Sequence, residues 1–155
     1  MILIRQLHRD DISNLIALMK NCAYPELKWQ HVSFSEEACF ESIWQLHKNP
    51  DSKFFVAIKD NKIVGYAACF VRPYHFSREL CATDVTFFVQ KQYRGSLVGK
   101  KLIFAMRDFA KEKGAKELFL SINSGIEMER TKKMLTKLNA EKVGFEMKIN
   151  LTSEK

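Results

Sequence analysis

The chain has 155 residues, 46% of them hydrophobic and 28% charged, with three prolines and six glycines. That length and composition suit a single globular domain spanning 1–155, and exclude a disordered chain, a collagen-like repeat or two domains joined by a Gly/Ser linker. Lys and Arg number 25 against 18 Asp and Glu, a net charge of +7; the excess favours an anionic partner, whether nucleic acid, phosphorylated cofactor or acidic surface, without choosing among them.

In chain order, residues 2–7 read as a first strand, and Asp10 is placed to cap a helix whose stripe is Ile12, Leu15, Ile16 and Met19. Residues 21–34 are irregular and carry Tyr24, Trp29 and His31. Ser33 followed by Glu36 resembles a capping box for a helix with Phe40, Ile43, Trp44 and His47 on one face. Residues 54–58 and 63–71 are β-rich runs, and Asp60-Asn61 between them suits a two-residue hairpin turn. After a second irregular segment, 72–80, residues 81–89 form a strand. Residues 97–113 form a long helix with Val98, Leu102, Ala105, Met106, Phe109 and Ala110 inward, ended by Gly114 as a left-handed cap. A strand over 118–122, a helix over 127–138 and a last strand over 143–151 complete the chain. The order β-α-α-β-β-β-α-β-α-β predicts an α/β fold, a mixed sheet with helices on its faces.

Cys22, Cys39, Cys69 and Cys81 form no CxxC pair and no metal-like spacing with His. They read as reduced thiols packed as small hydrophobes, which fits a cytoplasmic protein. The N-terminal residues lack the apolar stretch of a signal peptide, and the longest apolar run, 63–71, is far short of the ~20 residues of a membrane span. The expectation is a soluble protein with no metal and no membrane partner.

The informative stretch lies within residues 85–113. Here a strand enters the basic turn Gln90-Lys91-Gln92-Tyr93-Arg94-Gly95-Ser96-Leu97-Val98-Gly99-Lys100-Lys101, and a helix leaves it. Glycines let the backbone approach a ligand closely, and the unpaired N–H groups of a first helical turn suit a diphosphate. Neither GxxxxGK[ST] nor GxGxxG is present, which argues against a P-loop nucleotidase and a Rossmann dehydrogenase.

The run from Tyr93 to Leu102 resembles the acetyl-CoA motif Q/R-x-x-G-x-G/A of the GNAT superfamily of N-acetyltransferases, with Leu97 standing at the motif's first glycine. The likeness extends to Ile4-Arg5, Phe55-Val56-Ala57, Ile63-Val64-Gly65 and Gly144-Phe145, and the element order matches over nearly the whole chain. It implies a mixed, mostly antiparallel sheet of about six to seven strands flanked by helices on both faces. It also implies that Arg94, Gly95, Ser96, Leu97, Val98, Gly99 and Lys100 wrap the CoA pyrophosphate. Main-chain groups of Phe87, Phe88 and Val89 would hold the pantetheine and stabilise the thioester oxyanion, and Asn123 is placed to bond the cofactor or to make a turn.

Acetyl transfer to an amine requires removal of a proton. Asp84 is the nearest carboxylate and the candidate base, Thr83 standing where many relatives have a glutamate; strand alternation puts Thr83, Val85, Phe87 and Val89 on one face and Asp84 on the other. Relatives also carry a tyrosine that protonates the departing thiolate, and Leu135 occupies its place; either another group such as Tyr74 or Tyr93 serves, or the thiolate leaves without help, or this member does not catalyse. The leading expectation is an N-acetyltransferase acting on a small-molecule or peptide amine in a ternary complex. The alternative is a non-catalytic acyl-CoA-binding module. A nucleic-acid binder is disfavoured because no recognition helix or aromatic platform accompanies the charge. Homodimers are frequent in the family, although no exposed apolar patch is legible in the sequence.

Overall fold

The computed structural model describes residues 1–121 and 124–152. They fall into two units, Met1–Ser121 and Ile122–Lys155.

The first unit is built on a five-stranded sheet: β1 (Leu3–Gln6), β2 (Ser52–Lys59), β3 (Lys62–Pro73), β4 (Leu80–Val89) and β5 (Ala115–Phe119), in the order β1-β2-β3-β4-β5. The first four strands pair antiparallel and β5 joins β4 in parallel. The hairpin between β2 and β3 turns at Asp60 and Asn61, with φ of 49° and 61°. Two successive left-handed residues make the turn whose twist matches the strands, which is why Asp-Asn stands there. Parallel β5 requires a crossover, supplied by the helix Val98–Glu112.

The α-helices among the described residues are α1 (Ile12–Leu18), α2 (Tyr24–Glu26), α3 (Glu36–Lys48) and α4 (Val98–Glu112) in the first unit and α5 (Met128–Lys137) in the second. A π-helical turn, Met19–Ala23, joins α1 to α2. In β2 and β3, consecutive residues Phe54 to Ala57 and Val64 to Cys69 are buried, the mark of a sheet covered on both faces. α4 covers one face, where Gly65 admits it: a β-carbon there would stand 3.2 Å from Val98 Cγ1 and 3.0 Å from the Phe88 carbonyl oxygen. α1 and α3 pack on the other. Local bonds set the entry to α3 and to the turn before α1. Ser35, not Ser33, caps α3, its Oγ accepting from the Ala38 N–H at 3.1 Å. Before α1 the capping carboxylate is Asp11, not Asp10; it accepts from the His8 N–H at 2.7 Å and holds Arg5 of β1 at 2.6 and 2.9 Å.

In the second unit, α5 is bounded by Glu127 and Leu138, with Leu135 buried. Two expectations are corrected. β5 begins directly after the Gly114 cap (φ 83°), because its pairing with β4 starts at Leu80↔Ala115; the predicted strand was placed a few residues too late. The predicted strand over 143–151 is absent among the described residues, so the sheet has five strands rather than six or seven. Its apolar alternation is real, but Val143, Phe145, Met147, Ile149 and Leu151 stand 73–90% exposed. Alternation favours an extended chain; a strand also needs a neighbouring edge for its main-chain groups.

Candidate functional site

The site begins with a break in pairing. β4 and β5 are in register at Ala82↔Leu118 and Thr83↔Phe119, and the pairing stops there. From Asp84 to Val89 the strand is paired only with β3. The Gln90 N–H bonds to the Val64 carbonyl on the β3 side, so alternation turns the main-chain groups of Val89 and Phe87 the other way, toward the opening beside β5.

β4 also carries a bulge. Thr86 pairs with Ala68 while Asp84 pairs with Cys69, leaving Val85 as the extra residue. The extra residue inverts the alternation expected from the sequence. Asp84 shares a face with Phe87 and Val89, the face that α4 covers, whereas Thr83 sides with Thr86 and Phe88. The Asp84 carboxylate accepts from the Ser121 N–H, with oxygens at 3.1 and 3.2 Å, tying the middle of β4 to the chain just beyond β5.

The turn after β4 is a single 3₁₀ turn, Lys91–Tyr93, followed by Gly95 at φ 82°. Glycine takes that conformation without the penalty a β-carbon brings. Leu97 is the N-cap of α4, whose first intrahelical bond is donated by the Lys101 N–H to the Leu97 carbonyl. The N–H groups of Val98, Gly99 and Lys100 therefore precede the helix's own ladder, and Ser96 Oγ partly caps Val98 at 3.4 Å. Gly95, Ser96, Leu97 and Lys100 are exposed; Val98 and Gly99 are buried against the sheet.

Charges at this turn are divided. Lys100 is exposed beside the helix start, while Lys101 Nζ bonds to the Ile2 carbonyl at 3.3 Å. Arg94 turns inward, its Nε donating to the Val89 carbonyl at 2.8 Å and Nη2 meeting Glu26 at 2.8 Å, with the guanidinium over the Phe88 ring. Its side chain is 11% exposed. Asn123 lies outside the described residues.

Of the two substitute acids, Tyr74 is engaged through its hydroxyl and Tyr93 through its ring. The Tyr74 hydroxyl bonds to the Glu117 carboxylate of β5, which pushes it up to about 12. Tyr93 lies under the Lys59 ammonium, 5.3 Å from its ring centre.

On the opposite sheet face, a cavity of about 360 Å³ opens between α2, residues 27–35 and α3, walled by Tyr24, Leu27, Trp29, Phe34, Ala38 and Cys39. The loop is folded on itself: the Tyr24 hydroxyl donates to the Val32 carbonyl at 2.6 Å, and the Tyr24 and Phe34 rings are 5.5 Å apart. Burial raises the Tyr66 hydroxyl well above its ordinary range; Thr86, Cys39 and Cys22 are the groups that act on it. The Tyr66 ring lies 5.5 Å from that of Phe88. Glu26, between the wall residues Tyr24 and Leu27, meets Arg94 over the Phe88 ring, so the wall borders the strand that carries the opening. Sequence reasoning missed Glu26, Ser121 and the Cys22–Gln90 contact (3.8 Å). All are partners of β4 or its turn from distant chain segments, and no local pattern marks them.

The model of the acetyltransferase (GNAT) family matches residues 18–130. Among solved structures, an aminoglycoside acetyltransferase, meta-AAC0020, from an uncultured soil metagenomic sample in complex with sisomicin is 26% identical. It covers 97% of each chain with a TM-score of 0.71. The aminoglycoside enzyme AAC(6')-Iy, in complex with a bisubstrate analogue of CoA and acetylneamine, is 18% identical over 99% of each chain (TM-score 0.77). A ribosomal-protein-alanine N-acetyltransferase from Brucella melitensis biovar Abortus 2308 is 17% identical over 97% of this chain and 99% of that one (TM-score 0.73). No curated protein matches by sequence.

Proposed function

The chain belongs to the acetyltransferase (GNAT) family, and from that premise we propose that it moves an acetyl group from acetyl-CoA to a primary amine within a ternary complex. The observation that carries this reading is the end of β4–β5 pairing at Thr83↔Phe119, followed at once by the Gly95 turn and the start of α4. An opening lined by main-chain groups and continuous with an anion-binding helix start suits a pantetheine chain with its diphosphate.

In this reading Gly95 to Lys100 hold the diphosphate, and Phe87 and Val89 line the pantetheine. The main-chain N–H groups of Phe87 and Val89 both face the opening, and they are the donors for the thioester oxygen in this reading. The amine nitrogen attacks the thioester carbon, the C–N bond forms, the C–S bond breaks, and CoA leaves as its thiolate. The proton lost by the amine passes through water to Asp84; the bulge puts Asp84 on the face of Phe87 and Ser121 orients it. With Leu135 in the tyrosine's place, solvent protonates the thiolate. Leu135 and Thr83 also favour a second reading, an acyl-CoA-binding module without turnover.

Titration with CoA and acetyl-CoA is expected to raise the melting temperature saturably. No shift with either would overturn both readings. Thiol release over an amine panel separates them. Ser96→Asp places a negative charge at the diphosphate from an exposed position and is expected to weaken CoA binding about tenfold or more, an effect of roughly 1.4 kcal/mol. Unchanged affinity in the folded variant would remove the turn from the site.

A further inference from the structure

The cavity beside α3 carries chemistry that the transfer reaction does not specify. Its walls are Tyr24, Trp29 and Phe34 with Leu27, Ala38 and Cys39, and among the described residues no charged side chain lines it. A pocket for a polycation would present carboxylates, because each ammonium taken from water needs a compensating charge.

The nearby carboxylates are already engaged. Glu26, at the end of α2, is bonded to Arg94 at 2.8 Å. Glu36, at the start of α3, is bonded to Lys20 at 3.0 Å. The helical repeat puts Ser35, Ala38, Cys39 and Ser42 on the cavity face of α3 and turns Glu37 and Glu41 away from it. An aromatic wall with no carboxylate in its lining binds an apolar body by burial and ring stacking. Its α2 side adjoins β4: Glu26, between Tyr24 and Leu27, meets Arg94 at 2.8 Å, and the Arg94 guanidinium lies over the Phe88 ring.

We propose that this cavity receives the body of the acceptor, and that the acceptor is a small primary monoamine with an aromatic or branched apolar body. The amine end points toward β4 and the apolar end lies against Trp29 and Phe34. The assignment rests on the transferase reading, and it separates this chain from neighbours whose described ligands are aminoglycosides.

The test compares phenethylamine, tryptamine and isoamylamine with spermidine, neamine and an apolar N-terminal tripeptide, by kcat/KM for thiol release from acetyl-CoA. The small apolar amines are expected to lead by about tenfold or more. Superior turnover of spermidine or neamine would overturn the proposal while leaving the transferase reading intact. A leading tripeptide would overturn the small-molecule assignment.

A second measurement does not need turnover. In a Trp44→Phe background, Trp29 is the one remaining tryptophan of the two in the chain, and phenethylamine is expected to change its emission saturably in the presence of CoA. Emission unmoved by millimolar phenethylamine would overturn the proposal. Saturable binding without thiol release from any amine would overturn the transferase reading and support the cavity. Ser42→Phe fills the cavity from an exposed helix position; it is expected to raise KM for phenethylamine about tenfold with the acetyl-CoA Kd unchanged. An unchanged KM would count against the cavity.

Discussion

Arg94 connects three segments through one side chain: the end of β4 through the Val89 carbonyl, α2 through Glu26, and the aromatic layer through Phe88. A guanidinium can do this because its donors lie in a rigid planar fork and its face stacks on rings; an ammonium offers neither. Glu26→Ala leaves a nearly buried cation without this partner and is expected to cost about 1–3 kcal/mol in urea unfolding. Arg94→Lys is expected to lose a similar amount, and full stability in that variant would show the fork to be dispensable. Gly65 is a second position where single atoms decide. A β-carbon would press the Phe88 carbonyl at 3.0 Å and Val98 at 3.2 Å, so Gly65→Ala must move either β4 or the start of α4. The expected cost is about 1–3 kcal/mol, with weakened CoA binding, checked by unfolding and by titration of the same variant.

At the scale of elements, the junctions are set by polar bonds and the faces by apolar pattern. Asp11 joins β1 to α1 by holding Arg5 with both oxygens and capping the His8 N–H. The Arg5 bond, the His8 N–H and the charges of Arg5 and His8 hold the Asp11 carboxyl below its ordinary value, against a smaller opposing effect of burial. A lowered pKa means the folded state favours the ionised form. The stabilisation is complete above the unfolded value of about 3.9 and is lost as pH falls through the folded one. Asp11→Asn is therefore expected to cost about 1–2 kcal/mol at neutral pH, and the difference from the parent should shrink in acid. A difference constant down to pH 2 would assign the effect to packing. The helices and the hairpin were legible because their signals are local: apolar spacing in α4, Asp-Asn in the turn, glycine after the last helical residue. The helix starts were misread by one or two residues, since Asp10 and Asp11, or Ser33 and Ser35, are chemically equivalent until the chain's path chooses between them.

For the whole molecule, the four thiols give a readout of opening. Cys69 and Cys81 are buried on β3 and β4, whereas Cys22 and Cys39 are partly exposed. Burial pushes the Cys69 thiol up to about 12, leaving almost no thiolate at pH 8. Titration with an aromatic disulfide is expected to reach Cys22 and Cys39 in the native protein, and Cys69 and Cys81 only when guanidinium unfolds the sheet. Rapid native modification of Cys69 would show that β3 opens locally. Among the described residues no helix is long and apolar enough to cross a membrane, and no group of three or more His, Cys, Asp or Glu is placed to hold a metal. The sequence by itself determined the mixed α/β architecture, the β2–β3 hairpin and the strand–turn–helix unit at Arg94 to Lys100, because each is written in residues close along the chain. Only the tertiary structure decided the rest. The Val85 bulge turned Asp84 onto the face of Phe87, Glu26 drew Arg94 inward, and residues 143–151 kept a strand's pattern without becoming one. These outcomes depend on which distant main-chain or side-chain group arrives as partner, and an apolar period specifies a face to bury without specifying what will bury it.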